Sequence, residues 1–452
     1  MSLNWQRWLN VFGHPSALLT IALITIHQSI IASSSFFLTR LIALFQQNDD
    51  YSHYLYLYLA AMLIPYLPGC LSFISLQHWI NQAHKNFIYG IAQTAYGMTE
   101  KFRNSIVREQ VESIVSRNSF ITIKEYLSFV EGFLSFVLNS VLSMLVLGLL
   151  LPGNLLASYF LSVILCAGFI LLVNKAISAR STETEHCFIS YSDSLSSIWD
   201  NTALGNKLNY KNWLFKSQDL GEHYYKKSND LQALKQCGNL ILAAAALGPT
   251  IYLVLRAVEN NAAQPALVAA IIVNLTRVFH ILNSLSSLVS QLLEWPSMNA
   301  RLEVMFRAEK LLLSDSDLPA KPLSEITLNN QPINDYEAVV QALKHVQQGR
   351  FTIRGGNGSG KSTLLLVLKK FFGESAMMLP AHHGRLVWNN SNPNLSTGQR
   401  TLQEIREIVS RNDVKVLLFD EWDANLDHVN KEAINQLLDE ITPELLVIEI
   451  RH

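Results

Sequence analysis

Charge is scarce in this chain of 452 residues: Asp, Glu, Lys and Arg together make up 16%, where a soluble domain carries about 25%. That shortfall argues against an ordinary cytosolic enzyme. Cysteine is scarce too. Of the 4 present, Cys70 and Cys166 fall in apolar runs and Cys187 and Cys237 in or beside a polar one, so neither a disulfide nor a metal cluster is expected. No stretch is strongly basic: residues 1–300 hold 18 of the 35 Lys and Arg and 16 of the 36 Asp and Glu. Nucleic acid is therefore not expected as a partner. A cleavable signal peptide is not expected either, because the first apolar run, after Pro15, is too long for a signal-peptide core.

What is present is apolar sequence in long runs. Between Glu131 and Lys175 there are 43 consecutive residues without charge, broken by the turn-forming Pro152-Gly153-Asn154. About 20 apolar residues cross a bilayer core, so this run predicts two spans joined by a hairpin. Similar reasoning gives an α-helical six-span membrane domain over 1–300, with helices near 17–45, 52–84, 129–152, 154–174, 238–256 and 265–294. The long segments after the second and fourth spans are rich in Lys and Arg (Lys101, Arg103 and Arg108; Lys207, Lys211 and Lys235), whereas the intervening loops carry Asp49, Asp50 and Glu259. The bias toward Lys and Arg on the cytoplasmic side predicts a multi-pass protein of a cytoplasmic (inner) membrane with both termini inside. Trp5, Trp8, Leu9 and Phe12 recur at helical spacing, as in a helix lying in the interface or an ordinary amphipathic start.

Two polar stripes mark the spans. Arg277, His280, Ser284, Ser287 and Gln291 repeat at intervals of three and four and share one helix face. A cation inside a span costs about 2.5–3.5 kcal/mol on insertion scales, so Arg277 must face water, protein or an acidic partner. The stripe lines either a cavity for peptide-like cargo or a seam between helices. Thr20, His27 and Ser34, seven apart, form a weaker stripe suited to helix packing.

Residues 301–452 lack such runs and predict an α/β P-loop NTPase domain. The β-type Phe351-Thr352-Ile353 precedes Gly355-Gly356-Asn357-Gly358-Ser359-Gly360-Lys361-Ser362, and helix-forming sequence follows from Thr363. This is G-x-x-x-x-G-K-S between a strand and a helix, a loop whose N–H groups and helix N-terminus cradle phosphates. Lys361 would reach the β and γ phosphates of ATP, and Ser362 would ligate Mg²⁺. The apolar run Val414–Phe419 ends in Asp420-Glu421, placing Asp420 as the Mg²⁺ partner and Glu421 as general base for the attacking water.

Leu395-Ser396-Thr397-Gly398-Gln399-Arg400 lies between these motifs and resembles the signature of ATP-binding cassette (ABC) proteins. With Phe419-Asp420-Glu421-Trp422, it is similar to the half-transporters that export cyclic peptides and peptide siderophores. Asp427, in Ala424-Asn425-Leu426-Asp427, resembles the family's D-loop, and His452 its switch histidine. The resemblance implies an ABC half-transporter in which a dimer sandwiches two ATP molecules, Ser396 and Gly398 of one subunit meeting the phosphate held by Lys361 of the other. A homodimer is expected, and a heterodimer with another half-transporter suits the same chemistry. The chain departs from the family in two places. Leu395 follows Lys361 by only 34 positions, too few for the family's helical subdomain, which makes this a reduced cassette. Ala381-His382-His383 stands where a glutamine is expected, with His382 or His383 as its substitute or as solvated loop residues. Tyr336 is a candidate to stack on adenine. Export of a peptide-like or amphipathic molecule is the expected activity; ATP-driven import, or a non-pumping ATP-binding subunit, are the alternatives.

Overall fold

The computed structural model describes residues 5–150, 153–260, 291–292, 294–314, 326–333, 335–383, 386–389, 395–411, 413–424 and 426–451. The chain divides into two compact units, Met1–Ile91 with Glu112–Ala308 and Ala92–Val111 with Glu309–His452. The sequence reading drew one boundary at 300. Contacts draw it after Ala308 and also assign Ala92–Val111 to the C-terminal unit.

The helices run α1 (Trp5–Phe12), α2 (Pro15–Gln46), α3 (Ser52–Leu63), α4 (Tyr66–Ala95), α5 (Ser105–Ser113), α6 (Ser119–Leu150), α7 (Gly153–Ser196), α8 (Ile198–Thr202), α9 (Lys207–Asn260) and α10 (294–313). Pro15 occupies the first turn of α2, where its missing N–H is harmless, and His14 caps the helix by accepting from Ser16 N at 3.2 Å. The second predicted span is two helices, because Pro65 cannot continue α3. The carbonyl of Pro65 accepts instead from the His27 ring at 2.8 Å, while Thr20 donates to Ser75 at 2.8 Å. Two members of the weaker stripe thus bond across to the second span, whereas Ser34 bonds back to Ile31 in its own helix. The aromatic face of α1 turns inward: Trp8 donates to Tyr126, and Trp79 donates to the carbonyl of the fully buried Phe12.

Two stretches, Pro15–Phe45 and Ser52–Ala95, are long and apolar enough to cross a membrane among the described residues. The count of six is not established. The predicted spans 129–152, 154–174 and 238–256 fall on α6, α7 and α9, and 265–294 lies almost wholly outside the described residues. Leu18, Leu63 and Leu172 stand 72%, 73% and 81% exposed, a cost of about 1.5–3 kcal/mol each in water that lipid would remove. α9 runs unbroken for 54 residues, about 80 Å at 1.5 Å per residue, and so far exceeds a bilayer core. It packs along α7, as α2 does along α6.

The C-terminal unit is a six-stranded sheet in the order β2 (Gln331–Ile333), β1 (Ile326–Leu328), β3 (Gly349–Arg354), β6 (Leu446–Ile450), β5 (Val416–Phe419), β4 (Ala376–Leu379). β3, β6, β5 and β4 are parallel, and β1 and β2 add an antiparallel edge. β4, β5 and, but for one glutamate, β6 read as apolar runs because both faces are covered. One face packs α11 (Tyr336–Leu343) and α12 (Lys361–Phe372) through Val339, Leu343, Leu364 and Leu368. The other packs α13 (Thr397–Val409) and α14 (His428–Ile441) through Ile405, Ile408, Ile434 and Leu438. Within this unit the turn Thr99–Lys101 packs on α12, and buried Lys101 donates to the Ser314 carbonyl at 2.5 Å and its hydroxyl at 3.0 Å.

The core strand β6 carries one charge, Glu449, with no exposure. Its carboxylate accepts from Arg350 Nε at 2.9 Å, Thr352 Oγ1 at 3.2 Å and Trp422 Nε1 at 3.0 Å, and pairs with Arg451 at 2.9 Å. Burial works to raise its pKa, but the bonds to Arg350 and the charge of Arg451 win and hold it below the usual carboxylate range. A depressed carboxyl adds stability that is present above its unfolded pKa and is lost as pH falls. Breaking a buried pair costs about 3–5 kcal/mol. Because Arg451 remains, Arg350→Ala is expected to destabilise the chain by about 3 kcal/mol at pH 7, and by less at pH 4, read as the fall in its thermal unfolding midpoint in detergent.

Candidate functional site

The glycine-rich loop leaves β3 at Arg354 and enters α12 at Lys361, at the C-terminal end of the parallel strands where α/β sheets bind ligands. Gly358 and Gly360 adopt φ of 80° and 101°, conformations that a side chain would strain. They let the loop turn back so that Ser359 N donates to Gly356 O at 3.2 Å. Asn357 lies within this turn, and Thr363 in the first turn of α12. Lys361 is buried and curls over its own loop, donating to the carbonyls of Gly355 at 2.8 Å and Gly356 at 3.1 Å.

Ser362, next on α12, donates to Asp420 Oδ1 at 3.0 Å. Asp420 stands one residue past β5, its N–H bonded to the Leu379 carbonyl at 3.0 Å. Burial raises its pKa and Glu421 adds to that, while the Ser362 bond and the charges of Arg103 and Lys361 pull the other way; the balance is upward. Glu421 takes the left-handed φ of 49°, an uncommon conformation for a residue with a side chain and one that clusters at functional sites. The loop is fixed from behind by Trp422, whose indole is the Glu449 donor described above.

These residues suit a nucleotide with its metal. Ser359 Oγ is buried without a hydrogen-bond partner among the described residues, the Lys361 ammonium is held by carbonyls that phosphate oxygens can replace, and Ser362 with Asp420 forms a hard oxygen pair of the kind Mg²⁺ prefers.

A second cluster gathers the signature residues. Ser396 caps α13, accepting from Gln399 N at 3.3 Å, while Gln399 Oε1 accepts from Ser396 N at 3.2 Å. Asp427 caps α14, accepting from Asn430 N at 2.8 Å and Asn430 Nδ2 at 2.7 Å. Those bonds, the backbone one first, lower the Asp427 pKa. Gly398 joins the two helices, since a Cβ there would meet the Asn430 side chain at 2.7 Å. No hydrogen bond or ion pair joins this cluster to Lys361, Ser362 or Asp420 among the described residues.

Several expectations fall elsewhere. His452, Arg277, His280, Ser284 and Ser287 lie outside the described residues. Gln291 is described and lies against Gly132 of α6. Tyr336 packs on the sheet core with its hydroxyl buried, which raises its pKa, rather than standing free as a stacking platform. His382 is exposed, but His383 turns inward onto α13. Among the described residues of 380–396 there is no helix. The sequence reading also missed a cavity of about 390 Å³ in the helical unit, beside buried Lys235, which donates to Glu294 at 2.6 Å and Ser297 at 2.9 Å. Lys235 had been read only as a cytoplasmic charge; its burial depends on a residue 59 positions away.

No family model matches the chain, and no curated protein matches it. Among solved structures it is similar to a bacterial Atm1-family ABC exporter with ATP bound, with a TM-score of 0.61 and 12% identity over 97% of this chain and 90% of that one. The chain has the fold of an ABC exporter.

The Gly398 contact makes a test. Asn430 is anchored by Asp427, so it cannot swing aside, and overpacking costs about 1–3 kcal/mol. Gly398→Ala is expected to lower the unfolding midpoint, and adding Asn430→Ala should recover part of that loss in a double-mutant cycle.

Proposed function

We propose that this chain is an ATP-driven half-transporter of ABC type, working as a dimer in a membrane with 1–300 as its translocating part and 301–452 as its nucleotide-binding part. The observation that carries this reading is the Ser362–Asp420 pair beside the curled Lys361 loop, at the C-terminal ends of parallel strands, in a chain with an ABC exporter fold. Lys361 would exchange the Gly355 and Gly356 carbonyls for phosphate oxygens of ATP. Ser362 and Asp420 would hold Mg²⁺, which supplies charge neutralisation at the phosphates. Glu421 would take a proton from the attacking water, with His452 beside it as the resemblance suggests. One phosphate loop and one signature motif per chain support a dimer, in which Ser396, Gly398 and Gln399 would close on the partner's nucleotide through the N-terminus of α13.

Export is the favoured direction. The cargo reading, a peptide-like or amphipathic molecule met by Arg277, His280, Ser284 and Gln291, rests on the polar stripe and on the signature's resemblance to peptide exporters. A second reading, an ATP-binding subunit that pairs with another half-transporter, is favoured by the absence of a helix among the described residues of 380–396.

The test is Mg²⁺-dependent ATP hydrolysis by the purified protein in lipid nanodiscs. Glu421→Gln is expected to lower kcat by about 10²–10⁴-fold, the range for a general base, while still binding ATP. Lys361→Ala is expected to lose binding. A parent protein that binds ATP through Lys361 without hydrolysing it would overturn the autonomous pump in favour of the paired subunit.

A further inference from the structure

The inward turn of His383 brings three polar groups together where the chain passes from β4 to α13. His383 Nδ1 lies 3.0 Å from the Pro380 carbonyl, and Nε2 lies 3.1 Å from Thr401 Oγ1 and 3.2 Å from Glu404 Oε2. Thr401 and Glu404 are 1% and 3% exposed. Glu404 stands on α13, two turns from the Ser396 cap, and its Oε2 has no hydrogen bond of good geometry among the described residues.

Proton counting makes this contact informative. A carbonyl only accepts, so the 3.0 Å contact to Pro380 places a proton on Nδ1. A neutral ring then offers a lone pair at Nε2. An ionised Glu404 would set an oxygen lone pair against it, in a site where an unpaired charge is costly. One more proton makes the contact attractive, whether it sits on the carboxyl and donates to Nε2 or on Nε2 and donates to the carboxylate. Thr401 can satisfy Nε2 without that proton, but Glu404 Oε2 is left facing a lone pair without it.

We propose that His383 and Glu404 share one proton and through it latch the segment after β4 to α13, making them positioning residues for the Ser396 end of that helix. The latch rests on the ATP-driven reading for its purpose but not for its existence. The charged groups facing the pair are Arg400 and Glu407 on the same helix and His382 beside His383. Burial pushes the Glu404 carboxyl up to about 7; Arg400 opposes that shift and Glu407 adds to it. Burial pushes the ring down, the Pro380 bond opposes, and Arg400 and His382 lower it further. The two titrate as a unit. A carboxyl raised on folding adds stability below its unfolded pKa, and this is lost as pH rises through about 7. The latch is therefore closed in mild acid and opens in mild base.

The experiment uses the full chain in detergent without nucleotide, and then in nanodiscs with ATP. Without nucleotide, the unfolding midpoint of the parent should fall as pH rises from the ordinary carboxylate range to about 7, and Glu404→Gln, which imitates the protonated carboxyl, should flatten that fall. With ATP, kcat of the parent should decline as pH rises through about 7. Glu404→Gln should remove the decline, and His383→Ala should lower kcat about tenfold while KM stays within about twofold, as for a group that acts in closing the site. A parent and Glu404→Gln variant with the same pH dependence of unfolding would overturn the proposal. So would a His383→Ala variant with the parent's kcat and pH profile. A parent without ATP hydrolysis overturns the transport reading alone, because the nucleotide-free unfolding profiles still decide whether the latch exists.

Discussion

A carboxylate with no exposure to water sits in the middle of the sheet, and the geometry of the nucleotide site depends on it. Glu449 could have been a sixth apolar residue in Leu445–Ile450 at no cost to the packing. As a charge it must be compensated, and its partners come from different elements: Arg350 and Thr352 on β3, Trp422 in the loop after β5, and Arg451 at the end of β6. Asn435 of α14 accepts from Arg350 at 2.8 Å and so joins the network. Replacing a buried ion pair by apolar residues is often neutral or stabilising, so stability alone does not explain this one. What it fixes is position: β3 delivers the phosphate loop and the β5 loop delivers Asp420 and Glu421, and Glu449 bonds to both.

The left-handed backbone at Glu421 follows from that arrangement. Trp422 is 4% exposed, bonded to Glu449 and covered by the Arg451 guanidinium 5.5 Å from its ring. Asp420 is held on the other side by Ser362 and by the Leu379 carbonyl. Glu421 is left to absorb the turn between two fixed neighbours. Strain of this kind persists only where the surroundings over-determine it, and here they do so on both sides.

The glycine-rich loop between a strand and a helix and the Asp-Glu strand end were legible in the sequence because each is local. A glycine pattern and an apolar run ending in acids need no knowledge of what lies across the fold. The strand expected at Val414–Phe419 forms over Val416–Phe419, two residues shorter. The buried pairings were not legible, since Arg350 and Glu449 are 99 positions apart and Lys235 and Glu294 are 59. A trace was available: a lone glutamate inside an apolar strand signals a partner, though not which one. The ends of the long helices were not legible, because α7 and α9 continue without a break past their apolar segments, and hydropathy marks where lipid would begin rather than where a helix ends.

Lys361 shows why the site is folded before any ligand arrives. An ammonium at 6% exposure would be expensive unpaired, and two loop carbonyls stand in for the phosphate oxygens. These are neutral acceptors. A phosphate oxygen carries charge and makes a bond roughly twice as strong, so on the proposed reading exchange would favour a nucleotide without requiring the lysine to be desolvated again. The loop thus meets most of the desolvation cost on folding, through Gly358 and Gly360, whose backbone brings the carbonyls within reach. The same logic governs Ser362 and Asp420, where a hydroxyl proton occupies the place a cation would take. In both pairs a weak internal contact keeps a polar group ordered, and on the proposed reading the difference in strength between that contact and one to phosphate or Mg²⁺ would drive the exchange.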